Sequence, residues 1–204
     1  MKKRLTYYDK FRDYFAVNLY RKDIAMFYLF LADGFEEIEA LAPLDMMLRA
    51  KLEVKTVGIT GEFVTSSHGV SVKADIKPEE ISLENTDGVI LPGGLRGTLN
   101  LMKSECVASA TKYCFDNGKL TAAICAAPSV LGNLGILKGK KAICYPGFEN
   151  RLEGAILTDA PVVVDGNVIT SKGPGSSILF GKAIVEKVLS ADAANKICGE
   201  MQCP

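Results

Sequence analysis

The chain has 204 residues, with 24 Lys and Arg against 24 Asp and Glu, 48% apolar residues and no Trp, as expected of one globular domain around a single core. That composition excludes disorder, collagen and coiled coil. A formal net charge of zero without a long basic block argues against nucleic acid or membrane as the main partner, and leaves a small molecule or another protein.

Residues 1–23 differ from the rest, carrying seven positive charges against three negative. Leu5, Tyr8, Phe15 and Leu19 recur near helical spacing, so this N-terminal extension is expected to form a short amphipathic helix without chemistry of its own. Met26 is a candidate natural start. Residues 24–204 then read as a single α/β domain. The apolar run Ile24 to Ala32 is nine residues long, about half of the roughly 20 a spanning helix needs, so it reads as a buried strand.

From there strands and helices alternate. Ile24 to Leu31, Glu53 to Gly58 and Asp87 to Leu91 read as strands, Glu36 to Ala50 as a helix, and Phe63 to Thr65 with Val70 to Lys73 as a hairpin. One long helix is expected over 98–117, stopped at Gly118. Strand Lys119 to Ile124 leads through a one-residue corner at Cys125 into a helix with Pro128 in its first turn. Lys140 to Cys144 reads as a strand, Pro161 to Val164 and Val168 to Ser171 as a hairpin around Asp165-Gly166-Asn167, and Gly175 to Leu189 and Ala191 to Gly199 as helices. This order implies a mostly parallel sheet covered on both faces, with ligands beyond the carboxyl ends of the strands.

Six cysteines, Cys106, Cys114, Cys125, Cys144, Cys198 and Cys203, form no CxxC pair and follow no secretion signal, so free thiols in a reducing, cytoplasmic setting are expected. Cys125 stands out. A thiol at a strand-to-helix corner meets the positive end of the helix dipole and unpaired N–H groups, both of which favour the thiolate. A small core cysteine would explain the residue equally from packing. Pro92-Gly93-Gly94 ends a buried strand where the backbone can approach a ligand, or simply turn. In the acidic run from Glu36 to Glu39, N-terminal carboxylates offset the helix dipole, whereas Glu39, beside Ile38 and Leu41, is expected inward, desolvated and able to carry a proton. No dinucleotide fingerprint or P-loop is present.

The strings ADGFEEIEA, LPGG, AAICAAP and SKGPGSS, in that order over about residues 24–190, resemble the ThiJ/PfpI superfamily, most closely its Parkinsonism-associated deglycase and glyoxalase III branch. The resemblance implies a flavodoxin-like three-layer α/β sandwich, usually a homodimer, with Cys125 as an oxidation-prone nucleophile on a strained elbow. By position Glu39 matches a protonated glutamate bonded to that thiol, Glu36 a further acid of the motif, and the N–H groups of Gly94, beside Gly93, and of Ala126 an anion-binding pair. No metal or other cofactor is implied. Many relatives place a histidine near the cysteine where this chain has Tyr145, and the lone histidine, His68, reads as a turn residue. A Cys-His hydrolase therefore lacks its base, and proteolysis is disfavoured. Tyr145 can supply a hydrogen bond there.

Chemistry that needs only a thiol and a carboxyl group survives. The expected function is a cysteine-dependent, glutathione-independent glyoxalase or deglycase acting on 2-oxoaldehydes such as methylglyoxal or their early protein adducts. The alternative is a redox-sensing stress protein or chaperone whose Cys125 is oxidised to the sulfinate. Asp45, Met46, Met47 and Arg49 are candidate dimer-interface residues, with an intramolecular core as the other reading.

Overall fold

The run MFYLFL is apolar at every position, and a strand of that kind needs cover on both of its faces. The structure, a computed structural model, describes residues 25–203, so the expected N-terminal helix lies outside the described residues. In chain order the elements are β1 (Met26–Leu31), α1 (Glu37–Arg49), β2 (Glu53–Gly58), β3 (Phe63–Thr65), β4 (Ser71–Lys73), β5 (Thr86–Leu91), α2 (Leu95–Lys103) and α3 (Glu105–Asp116). There follow β6 (Leu120–Ile124), α4 (Pro128–Asn133), β7 (Lys141–Ala142), β8 (Ile156–Leu157), β9 (Val162–Asp165), β10 (Val168–Ser171), α5 (Ser177–Val188) and α6 (Ala191–Glu200).

Six strands form the central sheet in the order β2-β1-β5-β6-β10-β9, and only β9 runs antiparallel to its neighbour. Alternation along β1 divides the core. Phe27, Leu29 and Leu31 pack with Met46, Met47, Phe180, Ile184 and Ile197, from α1, α5 and α6. Tyr28 and Phe30 face the other way, onto a cluster that includes Leu101, Val107, Cys114 and Val130, from α2, α3 and α4. The result is a flavodoxin-like three-layer sandwich. Each fully buried Leu or Phe in it contributes about 1.5–3 kcal/mol.

Two sequence expectations are corrected. The helix over 98–117 is two helices, because Ser104 takes an extended backbone, closes α2 with its N–H and caps α3 by accepting from the Val107 N–H (3.4 Å). The strand over 140–144 shrinks to β7, which pairs with β8 outside the main sheet. Beyond β7, the Ile143 N–H is taken by the Thr170 hydroxyl (3.0 Å) and not by a ladder. Of the candidate interface residues, Met46 and Met47 are wholly buried within the fold, in keeping with the intramolecular-core reading, while Asp45 and Arg49 pair on the surface at 2.8 Å.

In the sheet order, β2 lies to one side of β1 and β5 to the other, so the chain reverses direction across the sheet between β1 and β5. Such a switch point leaves a crevice at the strands' carboxyl ends, where open α/β sheets bind ligands. The segments that follow β1, β5 and β6 meet there.

Candidate active site

Glu36 takes an extended backbone and caps α1, its Oε2 accepting the Glu39 N–H at 3.0 Å. An acid suits this position because it satisfies an orphan donor and offsets the dipole. The cap fixes where the helix begins, which turns Glu39 inward to complete burial. Glu39 Oε2 accepts the Gly93 N–H at 2.9 Å, and the Gly93 carbonyl accepts the Glu36 N–H at 3.1 Å. Position 93 admits no side chain: a Cβ would lie 2.6 Å from Glu39 Oε2, 2.7 Å from Cys125 Cβ and 2.9 Å from the Ile124 carbonyl. Gly94 has a left-handed φ of 83° and passes close to the Gly34 carbonyl, so it too must be glycine.

Cys125 ends β6 with φ 64°, a left-handed conformation that costs a side-chain-bearing residue roughly 1–2 kcal/mol. Two main-chain bonds hold it there: its N–H donates to the Ser171 carbonyl and its carbonyl accepts the Tyr145 N–H, both at 2.8 Å. The corner is longer than the expected single residue, since Ala126 and Ala127 complete the turn before α4 begins at Pro128. The side chain is 8% exposed.

Burial raises the Glu39 carboxyl from 4.5 to about 7, helped by the charge of Glu36 and opposed by hydrogen bonds with Cys125 and the Gly93 N–H. Its second oxygen, Oε1, is buried without a partner of ordinary hydrogen-bond geometry, which favours a proton on the carboxyl. The expectation of a depressed thiol pKa is corrected. Burial pushes Cys125 up to about 12, with the charge of Glu39 and its hydrogen bond acting the same way and the N–H groups of Gly94 and Ala126 pulling down. Desolvation outweighs the short helix α4. Because the charge of Glu39 is one of the causes that raise the thiol, moving a proton from the thiol to Glu39 removes part of what opposes the thiolate.

Tyr145 is tied to the elbow by its main chain, while its ring lies against Gly173 and is 46% exposed. With Pro146, Pro161, Lys172 and Pro174 it lines a cavity of about 380 Å³. His68 sits apart, its Nδ1 2.8 Å from Glu37 Oε2, and Glu37 Oε1 also takes the Ser66 hydroxyl. Partial burial would raise the Glu37 carboxyl, but hydrogen bonds from His68 and Ser66 dominate and hold it at about 2. Among the described residues, Glu36, Glu37 and His68 offer ligand atoms within 4.8 Å of one another. Those carboxylates are already engaged, Glu36 by the helix start and Glu37 by His68 and Ser66.

Residues 25–187 match the profile of the DJ-1/PfpI family. The chain belongs to this family. The Drosophila melanogaster DJ-1alpha is 37% identical over 177 residues, covering 85% of this chain and 82% of the relative. A deglycase from Pyrococcus horikoshii is 35% identical over 161 residues, covering 78% and 96%. The match to Arabidopsis thaliana DJ-1 homolog B covers 77% of this chain but 36% of that longer relative. Among solved structures, oxidised Toxoplasma gondii DJ-1 superposes with a TM-score of 0.84 at 33% identity, covering 87% of this chain and 98% of that one. Family membership accounts for the four ordered motifs and for the sheet order that brings them together.

Sequence reasoning missed the Glu37–His68–Ser66 set, which joins residues up to 31 positions apart, and the Ser171 carbonyl that anchors the elbow. Neither leaves a periodic trace. Among the described residues no helix is long and apolar enough to cross a membrane.

Proposed function

We propose that this chain is a cysteine-dependent, glutathione-independent glyoxalase or deglycase that acts on 2-oxoaldehydes such as methylglyoxal or on their early protein adducts. The observation that carries the reading is the buried Glu39 carboxyl beside the Cys125 thiol, with the Gly94 and Ala126 N–H groups on the same sulfur. Relatives named deglycase, about 35% identical, support an enzymatic role of this kind.

In the proposed reaction, ionised Glu39 takes the thiol proton as Cys125 Sγ adds to the aldehyde carbon. The resulting oxyanion is held by the Gly94 and Ala126 N–H groups. Glu39 passes the thiol proton to that oxygen and, ionised again, removes the hydrogen from the former aldehyde carbon and returns it to the neighbouring carbon through an enediol. The product is a 2-hydroxy thioester, which water cleaves to the hydroxy acid and free Cys125. No electrons leave the substrate. Glu36 acts by setting the start of α1, and Tyr145 by holding the elbow and walling the cavity beside it. The reading includes a homodimer and a reducing, cytoplasmic setting, the latter in keeping with six free thiols.

The test is methylglyoxal consumption with lactate detected directly, without glutathione, by wild type, Cys125→Ala and Glu39→Gln. Turnover in wild type and loss in both variants is expected. No turnover by folded, reduced wild type would shift the reading to a redox or chaperone role, in which the same N–H pair holds a sulfinate oxygen on Cys125. Light scattering that returns a 22.0 kDa particle would remove the homodimer.

A further inference from the structure

Helix α6 ends in a pair of nested hydrogen bonds. Gln202 takes a left-handed φ of 56° and its N–H donates to the Gly199 carbonyl at 3.2 Å, while the Cys203 N–H donates to the Cys198 carbonyl at 2.9 Å. This is the Schellman closure, which sets the side chains five residues apart against each other and usually makes an apolar contact of them. Here both residues are cysteines. The closure makes neighbours of the two side chains, and both residues are partly open to solvent. A short main-chain bond between the two residues keeps their Cα atoms close, as a disulfide demands, its usual span being about 4.4–6.8 Å. Cys198 packs on the core beneath the helix, which fixes one partner; that burial and the neighbouring Cys203 thiol raise its pKa, and Lys182 on α5 offsets part of the rise. The other thiols differ: Cys114 and Cys144 are buried, and Cys106 points its sulfur at the Pro78 carbonyl (3.8 Å).

We propose that Cys198 and Cys203 form a second oxidation site, a dithiol that closes to an intramolecular disulfide on reaction with a hydroperoxide and does so independently of Cys125. One thiolate attacks the peroxide oxygen, the O–O bond breaks, and hydrogen peroxide leaves a sulfenic acid and one water. The second thiol attacks that sulfur, the S–S bond forms and the sulfenic oxygen departs as a second water. The peroxide gains two electrons and the two thiols together lose two.

The sequence supplies a direct readout, because cleavage after Lys196 releases ICGEMQCP, which holds both cysteines and no other. The full chain is treated with hydrogen peroxide, alkylated, digested and mapped, alongside Cys125→Ala, Cys198→Ser and Cys203→Ser. In wild type and in Cys125→Ala the peptide is expected two hydrogens lighter and free of alkyl groups, with both alkyl groups recovered after reduction. In either serine variant the closed peptide is lost. A wild-type peptide that still carries two alkyl groups once Cys125 has been oxidised would overturn the proposal. So would closure that disappears in Cys125→Ala, or a peptide found cross-linked to a different cysteine.

Discussion

Glu39 and Cys125 converge on the space a side chain at position 93 would need, with Glu39 Oε2 and Cys125 Cβ 2.6 and 2.7 Å from where a Cβ would stand. The carboxyl arrives from the helix after β1 and the thiol from the corner after β6, and both lie against the bare backbone after β5. Their proximity is therefore a property of three strands in register, not of any local motif.

Gly93→Ala tests that packing. The new methyl group meets the Ile124 carbonyl as well as the two side chains, so the backbone must shift. A loss of about 1–3 kcal/mol in urea unfolding is expected, together with a large fall in methylglyoxal turnover. Wild-type stability and rate in this variant would show that the carboxyl and thiol tolerate being pushed apart.

Glu39 also makes a prediction about stability and pH. Its folded pKa of about 7 lies above the ordinary 4.5, so the folded state holds the proton more tightly than the unfolded chain. The stabilisation from that proton is full below about 4.5 and is lost as pH rises through about 7, amounting to something on the order of 3 kcal/mol. Compared with Glu39→Gln, wild type is expected to lose Tm steadily over that window and to level off above it. Parallel Tm curves for the two proteins would place the Glu39 pKa near its ordinary value.

The left-handed backbone at Cys125 separates two otherwise similar variants. Cys125→Ala and Cys125→Gly both remove the thiol, but only glycine relieves the strain at φ 64°. Glycine is expected to be the more stable of the two by about 1 kcal/mol, with both inactive. Equal denaturation midpoints would mean that the strain is relieved in another way.

His68, the lone histidine, gives a single imidazole signal to follow. Its pKa is raised above 6.5 by the hydrogen bond and charge of Glu37, so whatever the pair contributes is present below 6.5 and fades as pH rises through the shifted value. An NMR titration should place the midpoint above 6.5 in wild type and return it toward 6.5 in Glu37→Gln. A midpoint unmoved by that substitution would dissolve the pair.

Much of the fold was legible in sequence because β1 is apolar throughout, β5 and β6 are largely so, and Gly or Pro lies near most of their ends. The break at Ser104 was missed although serine is a strong cap, because the apolar spacing on either side of it masks the stop. The fate of residues 140–144 was not, because the Thr170 side chain that takes the Ile143 N–H lies on a strand 27 residues away. At the site, position along the chain was enough to single out Glu39 and Cys125. The direction of the thiol's pKa was not, because it depends on how much water the finished fold removes and on a charge brought in from helix α1.

The hold of residue 145 on the elbow is a main-chain bond, Tyr145 N–H to Cys125 carbonyl, and every amino acid except proline carries that donor. The side chain at this position is thus uncoupled from the geometry of the nucleophile. Exchanging tyrosine for any residue but proline reshapes the cavity it lines with Pro146, Pro161 and Pro174 while the donor that holds the corner at Cys125 is kept, so the wall and the elbow can vary independently.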